Sequence, residues 1–281
     1  MSTNILKAIK NIIESPVFDL KNSSKSSNRI NSVGESLEEF IKDLFSNSLN
    51  MEKEADKIVA HSEVFSYSGG KNNPPDFMIK GGDAVEVKKI ESSSPSIALN
   101  SSYPKSKLYS NDPMITTDCK KCEEWEVKDI LYAIGTMKKS ALKSLWFVYG
   151  DCYAADNEIY QKLKDKISDS LNNIPDIDFS ETKELGRVNR VDPLGITYLR
   201  IRGMWHIEHP NKVFKYLNTK NESDFNLNSL ILEDKYNSFP ELDRLNLEKI
   251  SNPNFSIEDV QIKSPNNPAK LLKAKLITFS I

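Results

Sequence analysis

The chain has 281 residues, enough for one large domain or two small ones with a sizeable core. Its 38 Lys and Arg stand against 40 Asp and Glu, a net charge of -2, which excludes a generally basic protein that coats nucleic acid; any surface for a polyanion must be a local concentration of positive charge. Three cysteines, no apolar leader and no run long enough to span a bilayer describe a cytoplasmic protein independent of disulfides, and no repeat of solenoid length is present.

In chain order, residues 4–14 carry Ile5, Ile9, Ile12 and Ile13 at helical spacing, and Pro16 marks a stop. They predict a first helix that packs on the domain or on a partner subunit. Residues 22–28, NSSKSSN, read as a polar linker or as a loop touching phosphates. A second helix over 29–45 places Ile30, Val33, Leu37, Ile41 and Leu44 along one stripe, with Glu35 and Glu39 turned away from it. Glu38 lies at the stripe's border, roughly one residue-step of 100° from its middle. Residues 63–67 then read as a strand leading into Gly69-Gly70.

The stretch PPDFMIKGGDAVEVKKIE, residues 74–91, contains two runs in the period of a half-buried strand around the turn residues Lys80-Gly81-Gly82. A two-residue loop would mix Phe77 and Ile79 with Glu86 and Lys88 on one face. A three-residue loop with a glycine at positive φ instead sets Asp76 opposite Glu86 and Phe77 opposite Val85. Phe77, Ile79, Val85 and Val87 then point one way and Asp76, Glu86 and Lys88 the other, because a slip of one residue flips every side chain. Hard divalent cations are held by carboxylate oxygens, so Asp76 and Glu86 are candidate ligands and the Val87 carbonyl is a further oxygen. Lys88 sits where it can orient or deprotonate an attacking water. The implied chemistry is metal-assisted phosphodiester hydrolysis; the alternative is a surface hairpin with an ordinary solvated Glu-Lys pair.

Residues 98–108, ALNSSYPKSKL, have neither helical nor strand period and are predicted to form a loop. Asn100, Ser101, Ser102, Tyr103, Lys105 and Lys107 make a hydrogen-bonding set suited to phosphates and base edges, with an ordinary solvated loop as the alternative. Cys119 and Cys122 form a C-x-x-C that would need His206 and His209 to complete a zinc site, but the wide separation and short His spacing do not match a finger, and reduced, packed cysteines are the better reading. Residues 125–134 and 145–153 read as buried strands, with LWFVYG suited to the middle of a sheet. Asp156 is a candidate cap for a helix carrying Ile159, Leu163, Ile167 and Leu171. Four of the six arginines, Arg187, Arg190, Arg200 and Arg202, then fall together with Asn189 around a strand predicted over 196–201. Arg200 and Arg202 project from one face of that strand. Beyond Lys212 the pattern weakens into short amphipathic pieces, and residues 270–281 read as a final strand, at an edge or in a dimer contact.

The Pro75-Asp76 pair, separated by nine residues from Glu86-Val87-Lys88, resembles the PD-(D/E)xK nuclease superfamily. The strings SNRINSVGESLEEFIKDLF, ALNSSYPKSKL, WFVYGDCYAA and FSETKELGRVNRVDPLGITYLRIRGMWHIEHP resemble NgoPII-type restriction endonucleases, with the similarity fading after about Leu217. The resemblance implies an α/β (α+β) fold, a restriction-endonuclease-like core with a central mixed β-sheet flanked by helices. It is expected as a single domain, with its catalytic core over about 29–175 and a DNA-reading, C-terminal elaboration over 176–281. It also implies a type II enzyme that cuts the palindrome GGCC in duplex DNA with Mg²⁺, for which Mn²⁺ can substitute. Glu38 becomes a third candidate metal ligand on this resemblance. A palindrome read by one fold implies a homodimer, and a restriction system implies a cognate DNA methyltransferase as partner. Arginine is the usual reader of guanine, and GGCC has two guanines per half-site, so Arg187, Arg190, Arg200 and Arg202 are candidates for both base and phosphate contact. A structure-specific or repair nuclease on the same scaffold, or a non-cleaving DNA-binding protein, are the alternatives.

Overall fold

The computed structural model describes residues 3–16, 29–70, 73–91, 96–139 and 141–281, with the side chains of 29–36 outside the description. The NSSKSSN segment lies outside it, as do the side chains of Ile30, Val33 and Glu35. The helices are α1 (Ile5–Glu14), α2 (Arg29–Ser46), α3 (Glu54–Val64), α4 (Thr117–Lys121), α5 (Gly150–Tyr153), α6 (Asn157–Asn172), α7 (Pro210–Val213), α8 (Glu233–Ser238) and α9 (Glu241–Glu248). The strands are β1 (Phe65–Ser68), β2 (Phe77–Ile79), β3 (Ala84–Ile90), β4 (Ser96–Asn100), β5 (Lys107–Tyr109), β6 (Val127–Lys138) and β7 (Ala141–Tyr149). They continue with β8 (Gly186–Asn189), β9 (Tyr198–Ile201), β10 (Trp205–Glu208), β11 (Asn226–Leu232), β12 (Phe255–Lys263) and β13 (Leu271–Ser280).

Among the described residues nine strands form one mixed sheet in the order β1-β2-β3-β6-β7-β11-β13-β12, with β5 paired to β6. The β3–β6 and β7–β11 pairs are parallel and the others antiparallel. Parallel neighbours need crossover connections. Here those crossovers carry β4 and the arginine-bearing segment, which pair across the sheet's rim as β4–β10, while β8 and β9 form a separate ribbon. No helix among the described residues is long and apolar enough to cross a membrane.

The apolar side chains explain the layers. Asn4 caps α1 by accepting from the amides of Leu6 and Lys7, and its own amide donates to Asp243 on α9 at 2.7 Å. Ile5, Leu6, Ile9 and Ile12 of α1 and Leu37, Ile41 and Leu44 of α2 are buried in one core with Phe77, Val85, Phe147 and Leu230 of the sheet. The LWFVY run occupies β7, in the middle of the sheet, with all five side chains buried.

Several expectations are corrected by this arrangement. Glu63 and Val64 end α3 rather than beginning a strand, so β1 starts at Phe65. Residues 98–108 are not a single loop: Ala98 to Asn100 belong to β4, and Lys107 and Leu108 to β5, where pairing with distant strands supplies the hydrogen bonds that local pattern did not reveal. The strand predicted from Trp125 begins at Val127 and runs to Lys138. Asp156 stands at the cap of α6 without a side-chain cap bond, and Ile159, Leu163 and Ile167 of that helix are exposed rather than packed. The final strand β13 lies inside the sheet between β11 and β12; β12 is the edge. The weakly patterned C-terminal third therefore supplies three sheet strands, and Lys235 of α8 ion-pairs with both Asp83 and Asp129 at 2.6 Å.

If β11 is part of the core, Leu230→Ala should lower unfolding free energy by about 2–5 kcal/mol, as other buried leucines do. Urea denaturation measures this, and a loss below about 0.5 kcal/mol, the range of surface substitutions, would contradict it.

Candidate active site

The turn chemistry of Lys80-Gly81-Gly82 sets the site's register. Gly81 has φ +61°, the Gly82 amide donates to Ile79 O at 2.9 Å, and the Ile79 amide donates to Asp83 O at 3.0 Å. Phe77 accordingly pairs with Val85, the register of the three-residue loop. Upstream, the Gly69 amide donates to the carbonyl of Asp76 at 2.6 Å, and a Cβ at Gly69 would lie 2.4 Å from Pro75 O, so only glycine allows the chain to pass this close.

This register places three charged groups beside one another. The Val87 amide donates to Asp76 Oδ2 at 2.6 Å, and Lys88 Nζ donates to Glu86 Oε1 at 2.6 Å. The second oxygen, Glu86 Oε2, is buried and has no hydrogen-bond partner. Burial, followed by the charge of Glu86, pushes the Asp76 carboxyl up to about 8, against the pull of Lys88 and the Val87 amide. Lys88 is also held above the usual lysine value: burial acts to lower it, but Glu86 and Asp76 together outweigh that. Lys88 is thus held as an ammonium, suited to orienting a water and to stabilising negative charge.

An orphaned carboxylate oxygen beside a second carboxylate is the donor set of a hard divalent cation, which is usually completed by water and substrate oxygens. Glu38, the third candidate ligand, has its carboxylate paired with Lys42 at 2.8 Å on α2. Its charge nonetheless reaches Asp76 and Lys88. Cys119 is buried with its Sγ 3.4 Å from Met78 Sδ.

Asp76, Glu86 and Lys88 open into a cleft of about 620 Å³ that is also lined by Asn73, Asn100, Ser101, Ser102, Arg200, Arg202 and Met204. The pairing of β4 with β10, Asn100 opposite Trp205, brings the serines and the arginines to the same cleft. An adjoining cleft of about 430 Å³ shares Asn73, Ser101, Arg200 and Arg202 and adds Lys164, Lys183, Glu184 and Arg187. Asn189 accepts from Arg187 Nε at 3.0 Å and Arg190 is exposed at φ +55°; neither lines these clefts.

Three of the loop candidates are committed elsewhere. Lys105 is 1% exposed, ion-paired to Asp112 and stacked over the ring of Tyr103 at 4.3 Å. Tyr103 is itself buried, its hydroxyl donating to Gln161. Lys107 pairs with Asp129 and Asp151. Their polar character suggested a ligand surface, but buried polar groups must be satisfied internally, as Tyr103 and Lys105 are, while the half-buried Lys107 has its charge met by two carboxylates. Asn73, Glu184 and Met204 had no local signal that marked them for the clefts.

The raised Asp76 carboxyl has a consequence for stability without metal. Below about pH 3.8 the group is protonated folded or unfolded and imposes no penalty; between there and about 8 the unfolded chain ionises it while the folded one resists, so stability falls as pH rises. Asp76→Asn, which mimics the protonated acid, is expected to leave the unfolding midpoint in chelator near that of the parent at pH 3.5 and to raise stability by on the order of a few kcal/mol at pH 9. Thermal unfolding at the two pH values checks this, and an equal change at both would contradict it.

The family described as NgoPII restriction endonuclease matches residues 3–263 of the chain. The type II restriction enzyme NgoPII of Neisseria gonorrhoeae is 52% identical over 280 residues, covering 99% of this chain and 100% of that relative. No solved structure matches. The similarity thus continues past Leu217, where the motifs thin out, through strands β11 to β13 that complete the sheet. The chain belongs to the NgoPII restriction endonuclease family.

Proposed function

We propose that this type II restriction endonuclease hydrolyses duplex DNA at the palindrome GGCC, with Mg²⁺ as the cation, Asp76, Glu86 and Lys88 as catalytic residues, and two copies acting as a homodimer. The observation that carries this reading is the single cleft in which those three residues stand with Asn100, Ser101, Ser102, Arg200 and Arg202. Type II restriction endonucleases generally use a divalent metal. Asp76, Glu86 with its orphaned Oε2, and the carbonyl of Val87 would hold it, and it would polarise the scissile phosphate and neutralise charge developing there.

The chain's own groups do the remaining work. Glu86 Oε1 aims the Lys88 ammonium, which orients the attacking water and stabilises charge in the transition state. The Val87 amide fixes the Asp76 carboxylate. Water attacks phosphorus in line with the departing 3′ oxygen: as the bond from water oxygen to phosphorus forms and the bond from phosphorus to O3′ breaks, the water gives up a proton to solvent and O3′ takes one from solvent. Asn100, Ser101 and Ser102 supply hydrogen-bond donors to the phosphate backbone, which set position without reading sequence.

Arg200 and Arg202 are the readers of guanine, with Arg187, Asn189 and Arg190 as further contacts along the same ribbon. The dyad of a palindrome is met by a dyad between two protomers. A cell holding such an enzyme must protect the same sites in its own DNA, so a methyltransferase of matching specificity is the expected companion.

Digestion of a plasmid of known sequence with purified protein and Mg²⁺ tests the reading. Discrete fragments ending at GGCC, absent with Lys88→Ala, are expected; a smear would point to a structure-specific or non-specific nuclease, and binding without cutting to a DNA-binding protein. Asp76→Ala should abolish cleavage yet keep site-specific binding in Ca²⁺, whereas loss of both would make Asp76 a structural residue. Arg200→Ala should lose about 1–3 kcal/mol of discrimination between GGCC and single-base variants; equal weakening on every sequence, measured by gel shift, would make it a phosphate contact.

A further inference from the structure

We propose that Glu184 is a positioning residue for sequence discrimination: its carboxylate holds Arg200 and Arg202 so that their free guanidinium edges face the DNA. The proposal rests on the reading above, in which these arginines read guanine.

Glu184 immediately precedes the β8–β9 ribbon. Its amide donates to Thr182 Oγ1 at 3.1 Å, and the next amide, of Leu185, donates to Ile201 O at 3.1 Å, which pins residue 184 beside the strand position between the two arginines. Arg200 Nε donates to Glu184 Oε2 at 2.9 Å and its Nη2 to Oε1 at 2.7 Å, while Arg202 Nε meets Oε1 at 2.8 Å. The Glu184 side chain is 13% exposed, against 51% for Arg200 and 58% for Arg202. The acceptor is therefore the more covered partner, and the two cations are the more exposed ones in the cleft that all three line.

Guanidinium geometry gives this arrangement its consequence. Arginine carries five N–H donors in a rigid plane. A carboxylate on the Nε and Nη2 side leaves the outer edge, Nη1 with the second Nη2 hydrogen, and that edge is the fork that meets guanine O6 and N7 together. An exposed single ion pair contributes little stability, but the two-point grip on Arg200 sets the orientation of its plane, and the single Nε contact draws Arg202 to the same carboxylate. One carboxylate against two guanidiniums leaves the Glu184, Arg200 and Arg202 cluster itself with a net positive charge, so the grip orients the pair without cancelling its attraction to DNA.

The test compares cleavage by the full-length parent, Glu184→Gln and Glu184→Ala, in Mg²⁺, of duplexes containing the recognised palindrome with guanine or with 7-deazaguanine, which lacks the N7 acceptor. The parent should prefer guanine by about tenfold to a hundredfold in kcat/KM, and both variants should shrink that preference to within about threefold. If the variants lose activity by the same factor on both duplexes, so that the preference survives, Glu184 is only a structural contact and the proposal falls. If the parent itself prefers no palindrome, the reading of the protein as a guanine-reading restriction enzyme falls, and the role of Glu184 with it.

Discussion

Two carboxylates held side by side and half stripped of water repel one another, and the candidate site is organised around sustaining that arrangement. Asp76 and Glu86 are brought together by the β2–β3 register, itself imposed by a turn that needs Gly81 at positive φ. The cost is visible in the raised carboxyl of Asp76. Partial compensation comes from the Val87 amide and the Lys88 ammonium, and one buried oxygen of Glu86 is left without any partner. A site left under-compensated in this way has the donor chemistry that a divalent cation would satisfy.

The surrounding fold makes the arrangement rigid. The hairpin is backed by α1 and α2 through Phe77, Val85 and the isoleucine stripe, and β3 is tied in parallel to β6 along its whole length. At the start of β3, Asp83 receives both the Tyr149 hydroxyl and Lys235, so the C-terminal region buttresses the same strand from the opposite side. Precision at the charged face thus derives from packing at the apolar one.

The two candidate parts of the site lie far apart in the chain and meet through backbone pairing. β4 follows the hairpin of Asp76, Glu86 and Lys88 and β10 follows the arginine ribbon; their antiparallel ladder unites Asn100 to Ser102 with Arg200 to Met204 across one cleft. The carboxylate of Glu184 then holds the two arginines at its rim. The carboxylates and the arginines are in this way brought to one cleft by a short two-stranded sheet.

The sequence by itself determined the hairpin, its register and the facing of Asp76, Glu86 and Lys88, because turn chemistry and a period of two are local properties. It also determined the α1 stripe, the α2 stripe from Leu37 onward and the burial of LWFVY. It did not determine what happened to the polar residues. Lys105 and Lys107 look like Ser101 and Ser102 in composition, yet the former are consumed by Asp112, Asp129 and Asp151 while the latter face the cleft. Nor did it locate Glu184 under the arginines, the ion pair that takes Glu38, or the three strands hidden in the weakly patterned tail. Each of these depends on partners distant in the chain, and whether a polar group is free for a ligand or satisfied internally is decided only when the tertiary structure sets its neighbours.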